Sequence, residues 1–349
     1  MDTNYGQDVK FSIIAHSMGG LITKFYLAYT EFCNNAVLEM DKLKKKTAND
    51  PDNMRMKQAI VYGSIAQIKP DKKERDKEKN KAGIINKVIL IGTPNSGSME
   101  IVKIFITGND STMPINPTPM DVIKSISTMP STYQLLPRVA LEMCFKDCHE
   151  EIERVSKKDL YQQVVWESLD KYANYGAPDP EKNDTEIAKI RKFRSLALRR
   201  AEEFMNALNT EEAKSVNKEI FLIGSDRIPT LEKGLFDGKV VLFHEDNIKE
   251  KIRSDLENRG TLGQEAIEDK INEKFLEYYA PGDGTVTRSS MLGGARYKNT
   301  MFTSATHLGL VQDPSVIDNI LYYLLEDDDD IERPKHQPLE QSQKIDDRY

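Results

Sequence analysis

The sequence predicts an α/β protein built on a mostly parallel sheet. Four short apolar stretches predict buried parallel strands, and the first three are rich in Val, Ile, Leu and Phe, as strands buried on both faces are. Helical periodicity follows the first and the last of them, and alternating strands and helices are typical of α/β folds. The predicted strands are Val9–Ala15, Lys87–Gly92, Glu219–Gly224 and Thr300–Ala305, and the predicted helices are Gly20–Phe32 and Pro314–Leu325, with Asp313 as the N-cap of the latter.

Two long insertions separate these elements. The first is polar and highly charged, and we expect it to be a solvated loop, with docking of a partner as the alternative. The second has strong helical periodicity, including Leu160–Ala173 and Thr185–Leu208, which favours a cap over the core. The predicted boundaries are 1–329 for the core, 34–84 for the polar insertion, 99–217 for the helical cap and 330–349 for an acidic, disordered tail; 244–279 is a further charged, mainly helical stretch.

Composition excludes several classes of protein. The 349 residues are 39% hydrophobic and 30% charged, which leaves enough apolar material for a core. The net charge of −7 argues against a general nucleic-acid-binding protein, because such proteins carry a basic face. No apolar stretch is long enough for a membrane-spanning helix, no secretory signal is visible, and three cysteines fit a reducing compartment. We therefore expect a cytoplasmic protein.

The strongest motif for catalysis lies at the end of the first predicted strand. Residues Ala15–Gly20 read AHSMGG and are followed by a helical pattern, which is the context of a nucleophile elbow with alanine in place of the first glycine. In such a turn Ser17 projects from a tight junction, and the small residues Ala15 and Gly19 let strand and helix approach. The alternative is that Ser17 is only a helix N-cap. The amide of Met18, at the start of the helix, is the expected oxyanion donor.

A serine nucleophile needs a histidine base, and one of the five histidines has the expected context. His307 follows a core strand and precedes the last helix, whereas the others lie in polar or cap segments or, for His16, beside Ser17 at a turn where neighbouring side chains point apart. A purely structural hydrogen-bonding role is the alternative for His307. The other histidines are His16, His149, His244 and His336.

The histidine in turn needs a carboxylate, and two aspartates compete for this role. Asp283 lies between two glycines in the segment PGDGTV, where the backbone can turn sharply and present one carboxylate. An ordinary Asp-Gly turn is the alternative. Asp226 comes just after the third predicted strand, in Gly224-Ser225-Asp226, where many hydrolases with a nucleophile elbow carry their acid. We favour Asp283.

Together these segments resemble the α/β-hydrolase superfamily, and most closely its lipase and lecithin:cholesterol acyltransferase-like branch. The resemblance covers roughly residues 8–137 and 217–325. It implies an α/β-hydrolase fold with Ser17, Asp283 and His307 as the catalytic triad. The segments that carry it are Ala15–Gly20, Ile91–Ser98, Pro281–Val286, His307 ahead of the last helix, and Met129–Pro137, which is similar to the cap segment of that branch.

Two of these segments are also expected to line a substrate pocket. The segment Ile91–Ser98 resembles the loop that the family has after the strand following the nucleophile helix. A plain turn is an equally good interpretation of it. The second carries apolar side chains that suggest a hydrophobic acyl group, and ordinary cap packing is the alternative. The residues concerned are Thr93, Pro94 and Asn95 in the loop and Met129, Tyr133 and Leu136 in the cap.

The chain departs from the family's pattern before the nucleophile strand. The family has several strands there, and its second oxyanion donor comes from a loop among them, whereas about eight residues precede the strand here. We therefore expect an α/β-hydrolase fold that lacks its N-terminal strands, with an exposed apolar edge and half of the oxyanion hole. The hypotheses are a C-terminal fragment, a truncated gene model, or one piece of a split protein whose N-terminal half comes from a missing segment or a separate chain.

The expected function is a serine hydrolase of the lipase or esterase type that forms an acyl-enzyme on a lipid or other acyl ester and needs no metal or organic cofactor. An acyltransferase or peptidase on the same scaffold and a non-catalytic relic of a hydrolase are the alternatives. Cys144, Cys148 and His149 lack the nearby fourth ligand that a zinc site needs. The basic cluster Lys42–Lys46 leaves peripheral membrane contact open.

Overall fold

A computed structural model describes the parts of the chain that carry the predicted core. The described residues are 10–27, 85–108, 118–139, 145–146, 157–170, 185–208, 219–236, 241–258, 263–293 and 297–325. Several predictions lie outside them, namely those for the polar insertion 34–84, the cluster Lys42–Lys46, the residues Cys144, Cys148 and His149, and the tail 330–349. The domain boundaries stay predictions.

The centre of the fold is a four-stranded, entirely parallel sheet with the order β1-β2-β4-β9. All four predicted strands are present in it, which confirms the α/β prediction. Burial on both faces, as the apolar runs predict, is found for the two inner strands β2 and β4, whereas β1 and β9 are partly exposed. The strands are β1 (Phe11–His16), β2 (Ile85–Ile91), β4 (Glu219–Ser225) and β9 (Asn299–Thr303).

Short strands outside this sheet connect the core elements. β3 (Phe145–Lys146), β6 (Gly234–Phe236) and β7 (Val241–Leu242) form one small sheet. β5 (Ile228–Leu231) and β8 (Tyr279–Gly282) form an antiparallel pair. The second pair matters for the site, because β8 ends directly before Asp283.

Ten helices surround the strands among the described residues. Helix α1 covers 18–27, and a short 3-10 helix covers Gly309–Val311. Two helices have the predicted bounds, α6 (Thr185–Leu208) and α10 (Pro314–Leu325). The others are α2 (Met99–Thr107), α3 (Pro119–Ser127), α4 (Pro130–Tyr133), α5 (Gln163–Leu169), α7 (Glu245–Asn258), α8 (Gln264–Phe275) and α9 (Arg288–Leu292).

Alternate residues of the central strands pack into two separate cores. On one face, Val88, Leu90 and Leu222 cluster with residues of α1 and α9. On the other face, Ile89 and Phe221 cluster with side chains of α10. Burial of each such aliphatic side chain contributes about 1.5–3 kcal/mol to stability before entropy costs. β1 lies at the edge of this sheet in the described part of the chain, with Phe11 and Ile14 exposed.

Helices α2 to α6 share the largest hydrophobic cluster among the described residues, and this cluster contains the buried ring of Trp166. Phe105 on α2 contacts this ring edge-on and also contacts the ring of Tyr133. The buried carboxylate of Asp170, after α5, binds Arg194 on α6 with oxygen to nitrogen distances of 2.7 and 2.8 Å. No helix in the described part of the chain combines the length and the apolarity needed to cross a bilayer.

Candidate active site

Ser17 lies at a strained turn between β1 and α1. Its φ of +55° places it in the left-handed region, and among the described residues it is the one non-glycine with positive φ. Such a conformation costs on the order of 1–3 kcal/mol and persists where the surroundings impose it. Here the amide of Ser17 donates to the carbonyl of Ile91 at 2.8 Å, which ties the turn to β2.

The tightest packing at this turn is at Gly20, one residue beyond the position that the motif singles out. A Cβ at Gly20 would lie 2.0 Å from Oγ1 of Thr93, whereas a Cβ at Gly19 would meet the Cβ of Ala15 at an ordinary 3.9 Å. Gly20 therefore lets α1 pass directly over the loop after β2. Met18 is the first residue of α1, where backbone N–H groups have no partner within the helix.

A chain of two hydrogen bonds joins three side chains that are distant in sequence. Nδ1 of His307 lies 2.7 Å from Oδ2 of Asp283, and Nε2 of His307 lies 2.9 Å from Oγ of Ser17. An ionised carboxylate only accepts hydrogen bonds, so Nδ1 of His307 donates to it. In the neutral ring Nε2 is then unprotonated and accepts from the hydroxyl of Ser17.

The carboxylate of Asp283 is fixed by its own loop. Its Oδ1 accepts hydrogen bonds from the amides of Thr285 and Val286 at 2.9 and 2.7 Å. Gly284 permits this turn with a φ of +89°. The carbonyl of Asp283 also accepts from the amide of His307 at 2.8 Å, so backbone and side chain both hold the two residues together.

The competing carboxylate, Asp226, lies elsewhere. It follows β4 by one residue, and its two oxygens face Arg227 and Arg288, each at 3.6 Å. The structure therefore brings Asp283, and not Asp226, together with His307.

Gly92, directly after β2, lies next to the contact between Asp283 and His307. Its φ is +55°, and its amide donates to the carbonyl of Ile223 at 2.8 Å. A Cβ at this position would lie 3.2 Å from both Oδ2 of Asp283 and Cε1 of His307. The sequence marks Gly92 only as the end of an apolar strand, and its closeness to the pair needs the tertiary structure.

The loop Thr93–Asn95, predicted to line a pocket, is buried and ties α1 to α9. Oδ1 of Asn95 accepts from Nζ of Lys24 at 2.8 Å, and its amide group donates to the carbonyl of Met291 and the hydroxyl of Tyr297 at 2.6 and 2.8 Å. Burial lowers the pKa of Lys24 to about 8. The polar atoms of Asn95 are thus used by the scaffold, and the contact of this loop with a substrate stays a prediction.

The predicted pocket residues of the cap have different surroundings. Met129 is exposed, while Tyr133 and Leu136 are fully buried in the large cluster. The hydroxyl of Tyr133 donates to the carbonyl of Ser127 at 2.9 Å. A Cβ at Gly97 would lie 2.4 Å from the carbonyl oxygen of Leu136, so this segment packs directly on the loop after β2. A role of these three side chains in binding also stays a prediction.

His16 contacts His307, which the sequence does not indicate. Its Nε2 lies 2.9 Å from the carbonyl oxygen of His307, and the two rings are 4.8 Å apart between centroids. Burial lowers the pKa of His16. Among the described residues no three His, Cys, Asp or Glu side chains are grouped so that they could hold a metal ion.

The comparison with protein families agrees with this fold. The family model of lecithin:cholesterol acyltransferase matches residues 2–219, more than half of the chain. This range contains Ser17 and Met18 and ends at the first residue of β4, so Asp283 and His307 lie outside it. A search of curated proteins finds no match. The match confirms the resemblance to the lipase-like branch of the α/β hydrolases and supports a lipase- or acyltransferase-like hydrolase in general. This chain therefore belongs to the lecithin:cholesterol acyltransferase family.

Proposed function

We propose that this protein is a serine enzyme that cleaves lipid acyl esters through a covalent acyl-enzyme. The observation that supports it best is the position of His307, whose two ring nitrogens reach Oδ2 of Asp283 and Oγ of Ser17 at 2.7 and 2.9 Å. This is the arrangement that activates a serine hydroxyl, since the carboxylate orients the imidazole and the imidazole takes the proton.

In the first half of the proposed reaction, Oγ of Ser17 attacks the ester carbonyl carbon while its proton moves to Nε2 of His307. The carbonyl oxygen becomes an oxyanion, to which the amide of Met18 donates from the start of α1. When the C–O bond to the alcohol breaks, His307 returns the proton to the leaving oxygen. The acyl group stays on Ser17, and Asp283 stabilises the transient imidazolium.

In the second half, an acceptor hydroxyl attacks the acyl-enzyme and gives its proton to His307. Water as the acceptor yields a carboxylic acid, and an alcohol yields a new ester. Ser17 recovers its proton from His307 as it leaves. The family's name describes acyl transfer from a phospholipid to a sterol, which supports a lipid ester as the donor and makes transfer to an alcohol an outcome to be measured beside hydrolysis.

A fluorophosphonate probe tests the nucleophile directly on the full chain. Attack by Oγ of Ser17 forms an O–P bond and expels fluoride, and mass spectrometry locates the adduct. We expect one adduct at Ser17 in the wild type and none in Ser17→Ala. The matched control is Ser195→Ala, because the hydroxyl of Ser195 is exposed on α6 and donates only along its own helix.

Hydrolysis of p-nitrophenyl esters of increasing acyl length gives the second measurement. We expect turnover in the wild type and in Ser195→Ala, none in Ser17→Ala, and a preference for longer acyl chains. A folded wild type that neither labels nor hydrolyses, or a Ser17→Ala variant that keeps either activity, would refute the proposal.

A further inference from the structure

His16 and His307 make two separate contacts, although 291 positions separate them in sequence. Nε2 of His16 reaches the carbonyl oxygen of His307 at 2.9 Å. The two imidazole rings lie 4.8 Å apart between centroids with their planes inclined by 38°. His16 is the last residue of β1 and pairs with Ile91 of β2, so its backbone is part of the sheet.

The hydrogen bond determines where His16 carries a proton. A backbone carbonyl only accepts, so Nε2 of His16 is the donor. Burial lowers the pKa of His16, and the neighbouring His307 lowers it as well, while Asp283 and the hydrogen bond raise it. The neutral ring has a single N–H, which this bond uses. His307 then faces an uncharged ring when it becomes protonated.

With this contact, every polar atom of His307 has a partner. Its amide donates to the carbonyl of Asp283, and its carbonyl accepts from His16. Its ring nitrogens reach Asp283 and Ser17. His307 lies in a turn between β9 and the short 3-10 helix, so no regular secondary structure holds its backbone. The contacts from the sheet and from the Asp283 loop therefore fix its position.

We propose that His16 is a positioning residue, which holds the backbone carbonyl and the ring plane of His307 so that Nε2 points at Ser17. This role rests on the proposed function of the Ser17–His307 pair. The contacts of His16 are with the backbone carbonyl and the ring of His307, so it acts through His307. Misplacement of a base by about 1 Å lowers a rate by about a hundredfold, so a residue of this kind has a measurable effect.

Three substitutions separate the two contacts. His16→Phe keeps a ring beside His307 and loses the donor. His16→Gln keeps an N–H donor near the position of Nε2 and loses the ring. His16→Ala loses both. The control is His244→Gln, the same chemical change at an exposed histidine.

The first readout is the second-order rate of fluorophosphonate labelling of the full chain, normalised to the folded fraction from circular dichroism. We expect a loss of about a hundredfold for His16→Ala. Smaller losses are expected for His16→Phe and His16→Gln, and none for His244→Gln. Partial rescue by His16→Gln identifies the donated hydrogen bond as the main contact.

The second readout is the proton NMR signal of the Nδ1–H of His307, which donates to Asp283 and resonates far downfield. A change in this signal in folded His16→Phe reports movement of the imidazole, which a loss of stability alone does not produce. Labelling at the wild-type rate together with an unchanged signal in the His16 variants would overturn the positioning role and leave the proposed function intact. A wild type that does not label at all would count against the proposed function, and the NMR signal would still test the contact.

Discussion

Lys24 gives a prediction that can be worked out quantitatively. This lysine lies on α1, is buried, and makes its hydrogen bond to Oδ1 of Asn95. The salt bridges of the described residues include none to Lys24. Burial lowers its pKa from the ordinary 10.5 to about 8. The protonated amine of Lys24 is therefore less stable in the folded chain than in the unfolded chain. At any pH at which the amine is protonated in both the folded and the unfolded chain, this difference lowers the free energy of unfolding.

The difference of about 2.5 pKa units corresponds to about 3 kcal/mol. Below pH 8 Lys24 is protonated in both states and the whole penalty is present. Between pH 8 and 10.5 the unfolded chain binds more protons than the folded one, so the free energy of unfolding rises with pH. Integration of this difference gives a relative gain of about 2.5 kcal/mol between pH 7 and pH 10.

The measurement compares urea unfolding of the wild type and Lys24→Met at pH 7, 8, 9 and 10. The variant also leaves Oδ1 of Asn95 without its donor, but this loss does not depend on pH and cancels in the slope. We expect the free energy of unfolding of the wild type to rise by about 2.5 kcal/mol relative to that of the variant from pH 7 to pH 10. Lys189→Met, at an exposed site on α6, should run parallel to the wild type. Parallel curves for Lys24→Met would refute the reasoning.

Three further substitutions test the site and its support. Gly92→Ala places a methyl group 3.2 Å from Oδ2 of Asp283 and Cε1 of His307, at a position with left-handed backbone. We expect fluorophosphonate labelling at least tenfold slower and a free energy of unfolding about 1–2 kcal/mol lower. An unchanged labelling rate would contradict this. Asp283→Asn should slow ester hydrolysis by about 10⁴-fold while Asp226→Asn stays within about twofold, and the opposite order would exchange the two roles. Asp170→Asn should lower the free energy of unfolding measured in urea by about 3–5 kcal/mol, because it removes the carboxylate that binds the buried Arg194. A loss below about 1 kcal/mol would show that the Asp170–Arg194 pair contributes little.

The sequence predicts those elements best that carry local signals. The start of α10 follows from Asp313, whose Oδ1 accepts from the amide of Ser315 at 2.8 Å, and from Pro314 at the first helical position. The four central strands follow from their apolar runs. β3, β6 and β7 have two or three residues each, which is too short for any periodicity.

The same limit applies to the candidate site. Ser17 and Asp283 have recognisable neighbours, a strand-turn-helix junction and two flanking glycines. The contacts of His16 and Gly92 with His307 depend on the approach of segments that are far apart in the chain, and no local pattern encodes them. Asn95 shows a similar limit, because its position after a strand predicts a loop but not the buried amine of Lys24 that occupies its side chain.

The sheet topology explains why Ser17, within the range that the family model matches, lies close to His307 and Asp283, which are outside it. Ser17 follows β1 and Gly92 follows β2, both within the matched range, while His307 follows β9 beyond it. Because the sheet is parallel, the carboxyl ends of these strands meet at one edge, and β4 sets the distance between β2 and β9. At this edge His307 contacts Ser17, and Asp283, in the loop after β8, binds the other ring nitrogen of His307. A substitution that shifts the register of β4 against β2 would therefore separate Ser17 from His307 without touching either residue.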